Sequence, residues 1–200
     1  MDVGAREQLL NAAADLMRER GSIDITLTEI ARRANINSAM VKYYFGNKAG
    51  MLVELLRKVM LPGMKQLDHL LGMSISPEKK LEVHISGIAN TYLRHPYINA
   101  LMHHLILESP ETFGAVIDRE LSRPVAEAQR QIMAEGVKAG VFREMDPVIL
   151  YLIITGTCDQ LFLRKLLLRE LLGGESLSEE RRRQFVEELC SIILDGIRVR

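Results

Sequence analysis

Two places in this sequence gather side chains whose types and spacing could do chemistry. The first is Ser38, Ala39, Lys42 and Tyr43, which share the outward side of one short helix, Ser38 to about Phe45. Small, hydroxyl, cationic and aromatic groups make poor core and suit the edges of bases in a major groove. The second is His103-His104 with Glu108. His104 and Glu108 stand four apart, share a helical face and could hold a metal or exchange protons. Two ligands are not a site, and spacing implies no third. His84, His95 and Asp159 join them only if folding brings them near. A nucleophile elbow, a phosphate-cradling Gly loop and a complete metal triad are all missing. The sequence therefore assigns no catalytic residue, no metal and no cofactor.

The elements that position the first group lie between Thr26 and Lys48. Thr26 and Glu29 have the spacing of a capping box, in which each side chain takes the other's free backbone N–H. Leu27, Ile30, Ala31 and Ala34 follow at helical intervals and give one apolar face. Asn35-Ile36-Asn37 interrupts. Asn tolerates the left-handed backbone of a tight turn, and Asn37 can cap the next helix. Ile36 is the apolar residue that fills the angle. Helix, tight turn and second helix is the layout of a DNA-reading helix-turn-helix.

Around this unit the chain reads as all helix. Ala5 to Arg20 carries Leu9, Leu10, Ala13, Leu16 and Met17 on one face and ends at Gly21. Gly46-Asn47 closes the second helix of the motif, and Lys48 opens a long one. Pro62-Gly63 falls inside it, and Pro breaks or kinks helices, so the boundary between head and body is expected near 60–63. The expected domains are 3–63 and 64–200. Ser76-Pro77, Ser109-Pro110 and Asp146-Pro147 each place a cap before a Pro, which predicts helices at about 77–94, 110–139 and 146–172. A short helix, about 98–108, lies between, and Pro124 must kink or split the 110–139 segment. A last helix runs from Ser176 or Ser178 to about Ile197. The 146–172 helix is apolar almost all round (Val148, Ile149, Leu152, Ile153, Leu161, Phe162), so it needs cover on more than one side. Pairing with the last helix and a symmetry mate would give a four-helix dimer interface, through about 146–172 and 178–197.

Composition limits the function classes. The chain has 200 residues, 48% hydrophobic, and zero net charge, which argues against coating nucleic acid by bulk charge. The charge is uneven: residues 1–60 hold nine Lys and Arg against seven acids, and the rest hold 17 against 19. A mildly basic head on a mildly acidic body fits local contact with phosphate. Cys158 and Cys190 lie in apolar helical stretches and are expected as buried free thiols. The N-terminus is polar and reads as no signal peptide, and the longest apolar run, Val148 to Thr155, is too short to span a bilayer. The expected location is cytoplasmic.

Arg6 to Leu52 resembles the TetR family of bacterial transcriptional regulators. The likeness rests on Ala13-Ala14 and Gly21, Thr26, Ile30-Ala31, Ala34, Ile36-Asn37, Tyr44-Phe45, Lys48 and Leu52. Glu135 to Arg143 before Asp146-Pro147 looks like the turn into the penultimate helix of many members. Three departures stand out: Asn35 replaces the usual turn Gly, Asn37 the usual Ser cap, and Lys42 the usual Tyr. The resemblance implies that Ser38, Ala39, Lys42 and Tyr43 face base edges while Thr28, Tyr44 and Lys48 hold phosphates. It implies a homodimer on a palindromic double-stranded DNA operator, released when a small molecule binds the body, and usually repression.

The chain has ten Met residues, of which Met60, Met64, Met73, Met102 and Met133 fall in the body or its hinge, and their flexible thioethers suit either core filling or an adaptable pocket. Pocket candidates are Tyr92, Met102, His103, Leu107, Gln129, Met133, Cys158 and Phe162, and such a pocket would take a mostly apolar ligand with one or two polar groups. Asp159, in an oily helix, either meets a partner or faces that cavity. Two rival readings are a helical enzyme built on His103, His104 and Glu108, and a dimeric adaptor with a vestigial head.

Overall fold

The structure is a computed structural model that describes residues 3–163, 170–171, 173 and 178–199. Its order is α1 (Val3–Arg20), α2 (Leu27–Ala34), α3 (Ala39–Phe45), α4 (Lys48–Gly72), α5 (Pro77–Arg94) and α6 (Ile98–Glu108). Two π-helical segments, Pro110–Gly114 and Asp118–Ser122, flank a single turn, α7 (Ala115–Ile117). Then come α8 (Arg123–Lys138), α9 (Pro147–Leu163) and α10 (Glu179–Ile197). The fold is all-α. Among the described residues the single exception is a bridge between Phe142 and Arg198.

The chain divides into two compact units. The first holds residues up to Leu61 together with His95–Ile117, and the second holds Pro62–Arg94 and Asp118 onward. In the first, α1 lies against α2 and α3. Leu9, Leu10, Ala13, Met17, Ile25, Ile30, Val41, Met51 and Leu52 fill its core. In the second, α5, α8 and α9 pack together, and α10 lies against α5. Leu81, Ile85, Ala89, Ile132, Leu150, Ile154, Ile193 and Ile197 are buried there.

Proline behaves differently at two interior places. Pro62 does not end a helix: α4 runs from Lys48 to Gly72 with Pro62 inside it. Its lost N–H removes one bond of a 25-residue ladder, which the neighbouring turns hold in place. Pro124 does divide its segment, standing in the first turn of α8 where its missing N–H is no loss. The turns before it widen to i→i+5 geometry, as in the bond from Gly114 N–H to the Ser109 carbonyl, 3.1 Å. Gly136 is required by packing, because a Cβ there would lie 1.9 Å from the ring of the buried Phe142.

Candidate nucleic-acid interface

The helix-turn-helix is built by short-range bonds. Thr26 Oγ1 accepts from Glu29 N–H at 3.2 Å, and Glu29 Oε2 accepts from Thr26 N–H at 2.8 Å, so the capping box is complete. Arg20 Nη2 donates to Glu29 Oε1 at 2.5 Å and ties the end of α1 to the start of α2. That guanidinium bond first, and the Thr26 donors after it, hold the Glu29 carboxyl down to about 2 from an ordinary 4.5.

Asn35 ends α2 in the left-handed region (φ 53°, ψ 42°), where its N–H reaches the Ala31 and Arg32 carbonyls. Asn37 Oδ1 accepts from Ala39 N–H at 2.9 Å, so Asn37 does cap the next helix, which begins at Ala39 rather than Ser38. Gly46 closes α3 at φ 76°. Asn47 Oδ1 accepts from Gly50 N–H at 2.8 Å and starts α4. Gly50 is forced at this corner, since a Cβ would stand 2.3 Å from the Phe45 carbonyl oxygen.

Ser38, Ala39, Lys42 and Thr28 are exposed, and Tyr43 is 72% exposed. Tyr44 and Lys48 are half-buried. Tyr43, Tyr44 and Phe45 meet edge to face in series, at 5.0 and 6.1 Å between centroids. Arg6 stacks over the Phe45 ring at 5.2 Å and pairs with Glu54, which holds the far end of α3.

The pairing of charges in this unit is selective. Arg6, Arg18, Arg20, Arg33, Arg57 and Lys58 each meet a carboxylate: Glu54, Asp15, Glu29, Glu19, Glu54 and Glu7. Arg32, Lys42 and Lys48 have no acidic partner among the described residues, and all three belong to the helix-turn-helix segment. Arg32 is exposed on α2 and was not singled out by the sequence pattern. Its signal was available in the spacing, since it stands four residues after Thr28 on the same helical side.

The expected pocket residues fall in both units. Tyr92, Gln129, Met133 and Cys158 are buried in the second unit. Met102, His103 and Leu107 belong to the first. Leu107 is 81% exposed and His103 is exposed, while Leu101 and Leu105 supply the buried face of α6. The Phe162 side chain lies outside the described residues. Cys158 is a free, buried thiol, pushed up to about 12 mainly by burial and then by the Asp159 charge. Burial, and then Asp159, likewise raises Tyr92. His104 Nε2 stands 3.4 Å from Glu108 Oε2, both half-exposed, and no third ligand joins them among the described residues.

With this geometry in place, comparison with known proteins decides the family. Residues 9–55 match the family described as bacterial regulatory proteins, tetR family, and residues 74–200 match the tetracyclin repressor-like C-terminal domain. The chain belongs to the TetR family. Among curated members it is 31% identical over 83 residues to the HTH-type transcriptional regulator BetI of Agrobacterium fabrum, spanning 40% of either chain. It is 23% identical over 197 residues to the HTH-type transcriptional repressor NicS of Pseudomonas putida, covering 96% of this chain and 92% of that one. In fold it is similar to the transcriptional regulator FadR of Bacillus subtilis, solved in complex with stearoyl-CoA, with a TM-score of 0.74 and 18% identity over 96% and 98% of the two chains. The BetI match thus covers well under half of that relative's length. No helix among the described residues is long and apolar enough to cross a membrane.

Proposed function

We propose that this protein is a sequence-specific DNA-binding transcriptional repressor that dimerises on a palindromic operator and is released by a small, largely apolar molecule. The observation that carries the reading is the pattern of charge neutralisation. Six cations of residues 1–60 are matched by carboxylates, and the three left unmatched among the described residues sit on the helix-turn-helix. Unmatched surface cations are what phosphates attract, and their positions, not the total charge, fix where the duplex docks. In this reading Ser38, Ala39, Lys42 and Tyr43 face base edges, and Thr28, Tyr44, Lys48 and Arg32 hold the backbone.

The head is taken as 3–63 and the body as 64–200. Val148, Ile149, Leu152 and Ile153 form an exposed apolar face on α9, and Ile192 is 68% exposed on α10. An apolar face of this kind supports an isologous dimer through these two helices. Such a dimer would set two recognition helices about one DNA turn apart, ~34–36 Å. A ligand that favours a different spacing then lowers DNA affinity by linkage. Repression follows the named role of NicS, and an apolar effector fits both the body's composition and the stearoyl-CoA held by FadR. A cytoplasmic location goes with a DNA-bound regulator.

Selection from random duplexes, followed by titration in salt, tests this. Removing one phosphate contact should lower the slope of log affinity against log salt by about 0.9. Lys48→Ala and Arg32→Ala should do so equally on all sequences, whereas Tyr43→Ala should change which sequence wins. If the selection yields no preferred sequence, or if none of the three changes alters binding, the recognition helix has been misassigned.

A further inference from the structure

Within the second unit, α5 and α10 lie against each other. Cys190 of α10 joins them at one point: its Sγ stands 3.8 Å from the Glu82 carbonyl and 3.7 Å from Ser86 Oγ. Beyond that contact a cleft of about 630 Å³ opens between the C-terminal half of α5 and the first turns of α10. This size lies within the ~300–1,000 Å³ of small-molecule sites. Ser86, Asn90 and Arg94 recur every four residues along one wall, so they share a helical face about 12 Å long. Leu93 and Val186 supply apolar surface. Because the cleft joins Arg94 to the start of α10 while Ser86 meets Cys190, the two helices run antiparallel.

Six charged residues line this cleft, three of each sign, and four of them are matched on their own helix. Arg183 Nε stands 3.8 Å from Glu187 Oε1, and Arg182 Nη1 stands 3.9 Å from Glu179 Oε2. The two left unmatched among the described residues are Arg94 and Glu180, both exposed. They belong to the same end of the cleft, Arg94 in the last turn of α5 and Glu180 in the first turn of α10. We infer that this end binds the head group of an α-amino acid, its carboxylate on Arg94 and its ammonium on Glu180. The side chain then lies along Leu93 and Val186 toward Asn90 and Ser86. This site is separate from that of the apolar effector and does not rest on it. A lone anion would gain Arg94 but meet the cleft's carboxylates, and a lone cation would meet its guanidinium groups, whereas a zwitterion answers both unmatched charges. The peptide dipoles act in the same sense, since the start of α10 favours a carboxylate and the end of α5 an ammonium. The planar Arg94 fork suits two-point contact with a carboxylate. A zwitterion with its charges far apart fits less well, because both partners sit at one end.

The test uses the full chain and three probes that share one side chain. They are L-methionine, 4-(methylthio)butanoate, which lacks the ammonium, and 3-(methylthio)propylamine, which lacks the carboxylate. Affinity is read by titration calorimetry. Methionine is expected to bind about tenfold tighter than either of the others, the worth of one charge-assisted hydrogen bond. In Arg94→Gln its advantage over the amine should fall to within about twofold, while its advantage over the acid remains. In Glu180→Gln the reverse should hold. Both side chains are exposed, so the two variants should keep the helicity of the original by circular dichroism. Equal binding of the three probes to the unaltered protein overturns the inference without any variant. So does absence of methionine binding, or an advantage that survives loss of its own partner. None of these readouts involves DNA. Failure here therefore leaves the DNA-binding reading standing, and failure of the salt titration leaves this one standing.

Discussion

Lys80 offers a sharp test of how the second unit is held together. Its side chain is 7% exposed, and Nζ donates both to Glu135 Oε2 and to the carbonyl of Leu71, each at 2.8 Å. One ammonium thus joins α5 to α8 and also caps the last turn of α4. Lys80→Met keeps most of the apolar stem and removes only the charge and its donors. Hydrogen bonds to charged groups contribute roughly 1.5–3 kcal/mol each, and breaking a buried pair costs about 3–5 kcal/mol. Glu135 keeps 34% of its side chain exposed, so water can solvate the carboxylate left behind, and the cost should fall to about 2–3 kcal/mol. Glu135→Leu removes both charges when added to Lys80→Met, and the double variant should lie within about 1 kcal/mol of the original. Urea unfolding of the three variants at one fixed protomer concentration measures the cycle. Hydrogen exchange supplies the local readout: the amides around Met73, whose N–H bonds to the Leu70 carbonyl at 3.2 Å, should lose protection in Lys80→Met. The reasoning is refuted if Lys80→Met costs less than about 0.5 kcal/mol, or if the double variant costs the sum of the singles.

Other consequences can be checked as directly. Gly136→Ala places a methyl 1.9 Å from Cδ2 of Phe142, a ring only 2% exposed, and should destabilise by about 3 kcal/mol or more in urea unfolding because the ring has nowhere to move. His84 is lowered from 6.5 to about 4 in the fold, so between those values the unfolded chain binds more protons. Stability from this group is complete above pH 6.5 and is lost as pH falls toward 4, by about 3 kcal/mol, a dependence that His84→Phe should remove from pH-dependent unfolding. Leu152 is 61% exposed on α9, so Leu152→Arg should leave the protomer's helicity by circular dichroism unchanged. In sedimentation equilibrium it should shift dimer to monomer, and an unchanged dimer would remove α9 from the interface.

How much of this was legible beforehand depends on the range of the forces involved. The capping box at Thr26 and Glu29, the left-handed Asn35, the Asn37 cap and the stop at Gly46 all join residues within a few positions of each other. Backbone sterics and local hydrogen bonds decide them, so residue type and spacing are enough, and the helix starts at Lys48 and Pro77 followed in the same way. Pro62 stays inside α4 because its local cost is small beside the ladder around it. Helical spacing names a face without saying what covers it. Leu107 has the same apolar character as Leu105, yet one is 81% exposed and the other buried.

The sequence by itself determined that the chain is helical, where the helix-turn-helix lies, and which short polar and aromatic residues its second helix turns outward. Only the tertiary structure decided which cations were already neutralised, because Arg33 finds Glu19, Arg6 finds Glu54 and Lys58 finds Glu7 across packed helices. It alone brought His84 to Gln129 and Lys80 to Glu135. Charge pairing and hydrogen bonding fall off over a few ångströms, and for residues far apart in the chain those ångströms are set by how the helices pack.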